Sequence, residues 1–300
     1  MLTPFGIALR KLRLDKGLRL LDLAELLGQS SAFVSSVETG RKPIPAKYVQ
    51  QVTQALNLNK DEIRQLQSAA DQVRPEVRVD QLTGNQRELV AAFARKVDGL
   101  SPDFLDELRK RLLKSVSGEQ PFRRRRAGML VAPASKETLS TFAETIRSLF
   151  VGPERIAFPI MDVLEAGLQR VFPDYYLEIC DQSVMGADEG RVIAGGNCII
   201  LREDVYKDAW RGNGRARYTA SHELAHFLMH RQTVMARTRE DHQPIYRDAE
   251  WQADEFAGRL LMSSRHVGSF ATPDEAAKKC GMSPEAARVM LSKYGREGKV

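Results

Sequence analysis

The first part of the chain repeats apolar positions with the 3.6-residue period of helices. "FGIALRKLRLDKG" (5–17) sets Phe5, Leu9 and Leu12 on one face and stops at Gly17, and "LRLLDLAELLG" (18–28) ends on another glycine. "QSSAFVSSVETG" (29–40) offers Ser30 or Ser31 as a helix cap and Phe33, Val34 and Val37 as the buried stripe. After the turn "RKPIP", residues 46–59 and 60–71 continue the pattern, so five short helices are predicted before residue 72. Residues 80–114 predict two more, broken at "DGLSP". One carries the stripe Leu89, Val90, Phe93 and Val97, and the other Phe104, Leu105, Leu108 and Leu112. So small a pair cannot form its own core and is expected to dock or dimerise. The stretch 115–128, with Gly, Pro, Ser and four consecutive arginines, reads as a linker whose charge is solvated or touches DNA.

From residue 129 the pattern changes. Residues 136–151 and 160–172 predict helices. "YYLEIC" (175–180) and "NCIILRE" (197–203) predict strands, with a third inside "MGADEGRVIAGG" between them. Helical period returns at 219–230 and 248–262, and the tail 272–295 holds a helix–turn–helix-like pair. The expected fold is mainly α, of the α+β class: an all-α domain at 1–72, a helical segment at 73–128 and a domain with a small sheet at 129–300. Met129 opens a segment resembling a polypeptide start, as if two coding segments had been joined, in nature or by design.

Composition adds bounds. With 300 residues, 43% hydrophobic and 28% charged, the chain has the make-up of a soluble globular protein. No stretch approaches the roughly 18 apolar residues of a membrane span, and the start lacks the layout of a secretory signal. Three widely spaced cysteines suit unpaired thiols in a reducing compartment, so a cytoplasmic location and no membrane partner are expected. Charge is uneven: residues 1–128 hold 23 Lys+Arg against 15 Asp+Glu, and the remainder 22 against 24. The front suits a polyanion and the back does not.

Ala24, Gly28 and Val34 fall where a helix-turn-helix needs a small residue at the helix crossing, a glycine in the turn and an apolar lock. With "VETGRKP" following, residues 3–71 resemble the phage-repressor-like helix-turn-helix family of the Xre type. The resemblance implies operator DNA as a partner. Ser31, Ala32, Ser35 and Ser36 would lie nearest the base edges, with Gln29 just before them and Arg41 and Lys42 on phosphates. Bidentate readers of guanine or adenine are Arg, Lys, Asn or Gln, so this serine-rich helix implies modest base discrimination. A homodimer or readout of DNA shape would supply the rest.

"TASHELAHFLMH" (219–230) carries three of the five histidines. On a helix His222 and His226 lie about 6 Å apart along the axis on one face, where two imidazoles can meet one Zn²⁺. Glu223 sits beside them as a general base, completing the H-E-x-x-H pattern. Ser221 or Thr219 is a candidate cap of this helix. His230, about 12 Å along the axis from His222, is expected to be a capping or surface residue. In "DAEWQADEFAGRLLM" (248–262), Glu250 and Asp254 are spaced i, i+4. They read either as two solvated acids or as a third ligand and a partner for a histidine's free N–H.

"RYTASHELAHFLMH" with "EWQADEFAGRLLM" resembles the ImmA/IrrE metallopeptidase family over residues 135–265. The resemblance implies a zincin-like fold and a gluzincin-like enzyme of low or regulated activity. Zinc, or manganese or iron in its place, would sit on His222, His226 and Glu250, with Glu223 as catalytic base and Asp254 behind a histidine. Ser263 stands where the family usually has proline after "LLM", which bears on the following turn. Tyr218 and His230 are both open as groups steadying an oxyanion. Relatives of this peptidase type cut helix-turn-helix repressors. The two halves together therefore imply a transcription regulator whose substrate is such a repressor, possibly its own N-terminal half, in a stress, prophage or toxin–antitoxin setting. A site blocked by the front domain or its linker would keep activity low. The alternative is a repressor with a metal- or ligand-sensing domain that never cleaves.

Overall fold

The computed structural model describes residues 2–45, 47–73, 129–193, 196–230, 236–237 and 245–298. The helices expected at 80–114, their dimerising role and the arginine run lie outside the described residues.

The helices expected at the front form. α1 (Pro4–Asp15) starts at Thr3, whose hydroxyl accepts from the Gly6 N–H at 3.0 Å, with proline in the first turn where no N–H is needed. α2 (Leu20–Leu26) turns through Gly28, at φ +63°, into α3 (Ser31–Glu38). Of the two candidate caps of α3, Ser30 does the work, accepting from the Phe33 N–H at 3.0 Å. α4 (Tyr48–Ala55) and α5 (Lys60–Asp71) follow, the latter opened by a reciprocal pair in which Asn59 and Glu62 each bond the other's backbone N–H. Leu9, Leu23, Ala24, Val34, Val37, Val52 and Leu66 are buried. Phe33, expected in that stripe, is only half-buried and lies edge-on to Tyr48 beneath the Lys42 ammonium. Ala32 is fully buried instead, because α3 is covered on a second side.

In the second half, β1 (Met129–Leu130) precedes α6 (Lys136–Phe150). Next comes α7, a helix running Ile160–Asp162, Val163–Gly167 and Leu168–Val171 with a π-helical middle. Then follow β2 (Tyr176–Cys180), the one-turn α8 (Gln182–Met185), β3 (Gly190–Val192) and β4 (Cys198–Arg202). The sheet order is β2-β4-β3, with β2 parallel and β3 antiparallel to β4. α9 (Glu203–Trp210) leads to α10 (Gly214–Ala225), which continues as a π-helical turn, His226–His230. The two-residue β5 (Ala236–Arg237) pairs with β1, and α11 (Ala249–Leu261), α12 (Pro273–Cys280) and α13 (Pro284–Arg296) complete the described chain.

α10 begins earlier than the sequence suggests. Asn213 caps it, accepting from the Arg215 and Ala216 N–H groups, whereas Thr219 donates to Glu189 and Ser221 to the Arg217 carbonyl. Ser263, at φ −66°, holds a backbone conformation that proline also adopts, caps the next turn by accepting from the Arg265 N–H and donates to Glu144 at 2.6 Å. The three cysteines are unpaired and buried. Among the described residues no helix is long and apolar enough to cross a membrane.

Buried apolar residues of the five front helices and of α6, α7, β2, β4, α9, α10 and α11 form one contiguous core, while α12 and α13 pack a second cluster against the end of α11. The shared core exists because α3 lies against β2, an edge strand whose side chains are all buried.

Candidate metal centre and the helix-turn-helix face

α10 and α11 pack side by side. The i, i+4 spacing on α10 brings His226 Nε2 to 3.0 Å from His222 Nε2. Asp248 caps α11 through the Glu250 N–H, fixing the turn that delivers Glu250 to the pair. Its carboxylate oxygens lie 3.3 Å from His222 Nε2 and 3.5 Å from His226 Nε2. Two bonds of about 2.0–2.1 Å at a tetrahedral angle set their donor atoms about 3.3 Å apart. The three separations straddle that value, so the donors fit one small divalent cation. Both imidazoles are nearly buried, whereas Glu250 is 57% exposed, leaving the centre open on the carboxylate side.

The other nitrogen of each imidazole is held by the protein. His222 Nδ1 donates to Asp254 at 2.9 Å. Burial opposes a proton on His222, but the hydrogen bonds of Asp254 and Glu250 outweigh it and push the imidazole up to about 10. The hydrogen bond from His222 holds Glu250 well below the usual carboxylate range. Without a cation, a proton on His222 Nε2 points at Glu250.

His226 is fixed by a longer chain of contacts. Gln252 Nε2 donates to the Ala132 and Tyr246 carbonyls, both at 2.8 Å, so its oxygen must accept. It accepts from His230 Nε2 at 3.0 Å. Burial lowers His230 to about 4 and keeps it neutral, so its Nδ1 is an acceptor, and the hydrogen in the 3.1 Å contact belongs to His226 Nδ1. His226 Nε2 is thereby left bare towards Glu250. His230 is thus not the cap or surface residue expected: it is 2% exposed at the end of the π turn and works through its neighbour. Gln252 was not expected at all, although it lies two residues from Glu250.

Glu223 is 4% exposed beside β3. Gly190 opens that strand so close to it that a Cβ there would stand 2.6 Å from Glu223 Cγ. Tyr218, one of the two oxyanion candidates, gives its hydroxyl to the Asp254 carbonyl at 2.8 Å. The other, His230, has both ring nitrogens engaged by His226 and Gln252.

The residues expected on DNA lie at the opposite edge of the sheet. Ser31, Ala32 and Ser35 are buried. Ser35 Oγ accepts from the edge N–H of Ile179 at 2.8 Å, and the Ala32 N–H donates to Glu203 at 3.3 Å. Arg41 pairs with Glu178 at 2.6 Å. Ser36 donates to the Ala32 carbonyl, while Gln29 and Lys42 are exposed. The described front helices dock against β2 rather than over the candidate metal centre; the linker, the other element expected to block the site, lies outside the described residues.

Residues 4–66 match the family described as helix-turn-helix domain, which takes in α1 to α4 and half of α5. Residues 201–292 match a peptidase family described as IrrE N-terminal-like domain, a span that includes every residue of the metal centre. The chain thus joins a DNA-binding type of domain to a metallopeptidase type of domain. No curated protein matches it.

Proposed function

We propose that the chain is a transcription regulator whose second half is a zinc-dependent endopeptidase acting on a helix-turn-helix repressor. The cut falls near residues 80–128 of its own front half, in one chain or between copies, or in a separate repressor, and it relieves repression. The observation that carries this reading is the convergence of His222, His226 and Glu250 beside the Glu223 carboxylate. Two imidazoles and one carboxylate suit zinc, with manganese or iron as substitutes.

A bound cation supplies Lewis acidity to the scissile carbonyl. The chain's own groups do the proton work. Glu223 takes a proton from the water as its oxygen bonds to the carbonyl carbon, and returns it to the amine nitrogen as the C–N bond breaks. Asp254 holds His222, and the Gln252–His230 pair holds His226, in the tautomers that keep both Nε2 atoms available. The open carboxylate side admits an extended peptide. Two copies joined through residues 73–128, the front helices on operator DNA and a stress, prophage or toxin–antitoxin setting complete the proposal.

The test is intact-mass analysis of the zinc-loaded chain and its Glu223→Gln variant, each alone and with a helix-turn-helix repressor from the same source. A fragment pair that the native chain forms and the variant does not supports the reading. No cut with zinc, manganese or iron, while DNA is still bound, replaces it with a non-cleaving metal sensor.

A further inference from the structure

We infer that the second half of the chain is a stand-in for DNA: through Glu165, Glu178 and Glu203 it holds the groups of the front domain that DNA would hold, so the front domain engages either its own peptidase half or a duplex.

The inference rests on the reading that α3 is the DNA-reading helix of residues 4–66. Such a helix places its first residues against base edges, while backbone N–H groups and cationic side chains nearby contact phosphates. Several of these have an occupant here, while Gln29 and Lys42 stay exposed. The first residues of α3 are sealed: Ser31 and Ala32 are wholly buried, and Ser35 bonds the strand edge at Ile179. The Ala32 N–H is taken by Glu203, and Arg41 by Glu178. Glu165 accepts from the Leu20 N–H at 3.2 Å and pairs with Arg13 at 2.9 Å, and the Leu21 N–H reaches the Tyr206 hydroxyl. Three carboxylates thus meet the amides and cations of one face, each an anionic oxygen group like a phosphate. A major groove about 12 Å wide cannot receive α3 while β2 lies along it.

The seam also has the chemistry of one that opens. Its contacts combine apolar packing with charged hydrogen bonds, and the buried Ser31 hydroxyl has no hydrogen-bond partner, a cost that leaving the seam would remove. Arg19 stacks on Trp210 across the same seam, a contact that water can replace.

Cys180 reports on the seam. It is buried at the end of β2, 3.6 Å from the Arg41 guanidinium, with Leu2 packed on its cluster. Cys280, in α12, is an internal control.

The experiment uses the full zinc-loaded chain, native and Glu178→Gln/Glu203→Gln. Random-sequence duplexes of about 30 base pairs, long enough for two half-sites one helical turn apart, serve as probe at low salt. Binding is measured by anisotropy, and maleimide labelling of Cys180 by mass spectrometry. One zinc per chain in the variant shows that its peptidase half is folded. The variant is expected to bind at least about tenfold more tightly, since affinity scales with the open fraction. Saturating duplex is expected to speed labelling of Cys180, but not of Cys280, in the native chain. Equal affinities with Cys180 still protected in the DNA complex would overturn the inference and leave DNA binding standing. If Cys180 labels fast in the variant yet no duplex binds, both the inference and the DNA-binding reading fall.

Discussion

The two edges of the three-stranded sheet treat their functional side chains in opposite ways. At the β3 edge Glu250 and Asp254 stand more than half exposed, and the histidines behind them are held by Asp254, His230 and Gln252. At the β2 edge the small residues of α3 are turned inward, and the Ala32 N–H and the Ser35 hydroxyl are met by the chain itself. A centre proposed to receive a peptide has to stay open to it. A surface that reads another molecule can be kept filled until that molecule competes. The contrast locates restraint in this protein at the reading helix rather than at the described part of the metal centre.

The largest expected effect tests the closed edge. Arg13 and Glu165 are both about 95% buried and pair across the seam, so Arg13→Met strands two buried carboxylates, Glu165 and Glu38. Such a loss costs about 3–5 kcal/mol. Asp254→Asn at the exposed edge is expected to cost less than about 1 kcal/mol. Denaturant unfolding of the metal-free chain compares them, and equal losses would abolish the distinction between a structural edge and a chemical one.

Within the open edge, Gly190→Ala sharpens the division of labour. The new Cβ meets the Glu223 side chain first, its three nearest atoms all belonging to that residue, and displaces the carboxylate. Cleavage of a repressor is expected to fall roughly 10²-fold, the scale of a misplaced catalytic group, with zinc affinity unchanged. Gln252→Leu should do the converse. It frees His230, and then His226, from their fixed tautomers, and zinc affinity measured against a chelator is expected to drop about 10–100-fold.

The remaining effect is a slope. The metal-free folded chain holds a proton on His222 up to about pH 10, above the ordinary imidazole value near 6.5, and a cation must expel it. Zinc affinity is therefore expected to rise about tenfold per pH unit above neutrality and to level off near pH 10, with about one proton released per ion. Glu250, already ionised at neutral pH, adds no slope there. Calorimetry in buffers of different ionisation enthalpy counts the proton, and a release of zero would place the ion elsewhere.

The metal-centre contacts that follow from helical period alone could be read from the chain. His222 and His226 share a face of α10 by the i, i+4 rule, and Glu250 and Asp254 share one of α11 by the same rule. The strands could be read too, from runs of Val, Ile, Leu and Tyr between turn residues. What lay beyond reach depends on two elements meeting. His230 finds His226 and Gln252 only because α10 ends in a π turn against α11, and Gly190 matters only because β3 runs beside Glu223. The covering of α3 left no local trace, since serine and alanine serve equally on a solvated face and under a strand. The cap of α10 was hidden because "RGNGRAR" reads as turn rather than as the start of a helix.

The most direct test of the account is a zinc titration of the metal-free chain, followed by calorimetry and native mass, beside Glu250→Gln, His226→Gln and Glu223→Gln. The account predicts one ion per chain in the native protein and in Glu223→Gln, and affinity reduced at least about 100-fold in the other two. An ion bound equally well by all four, or by none, would contradict it.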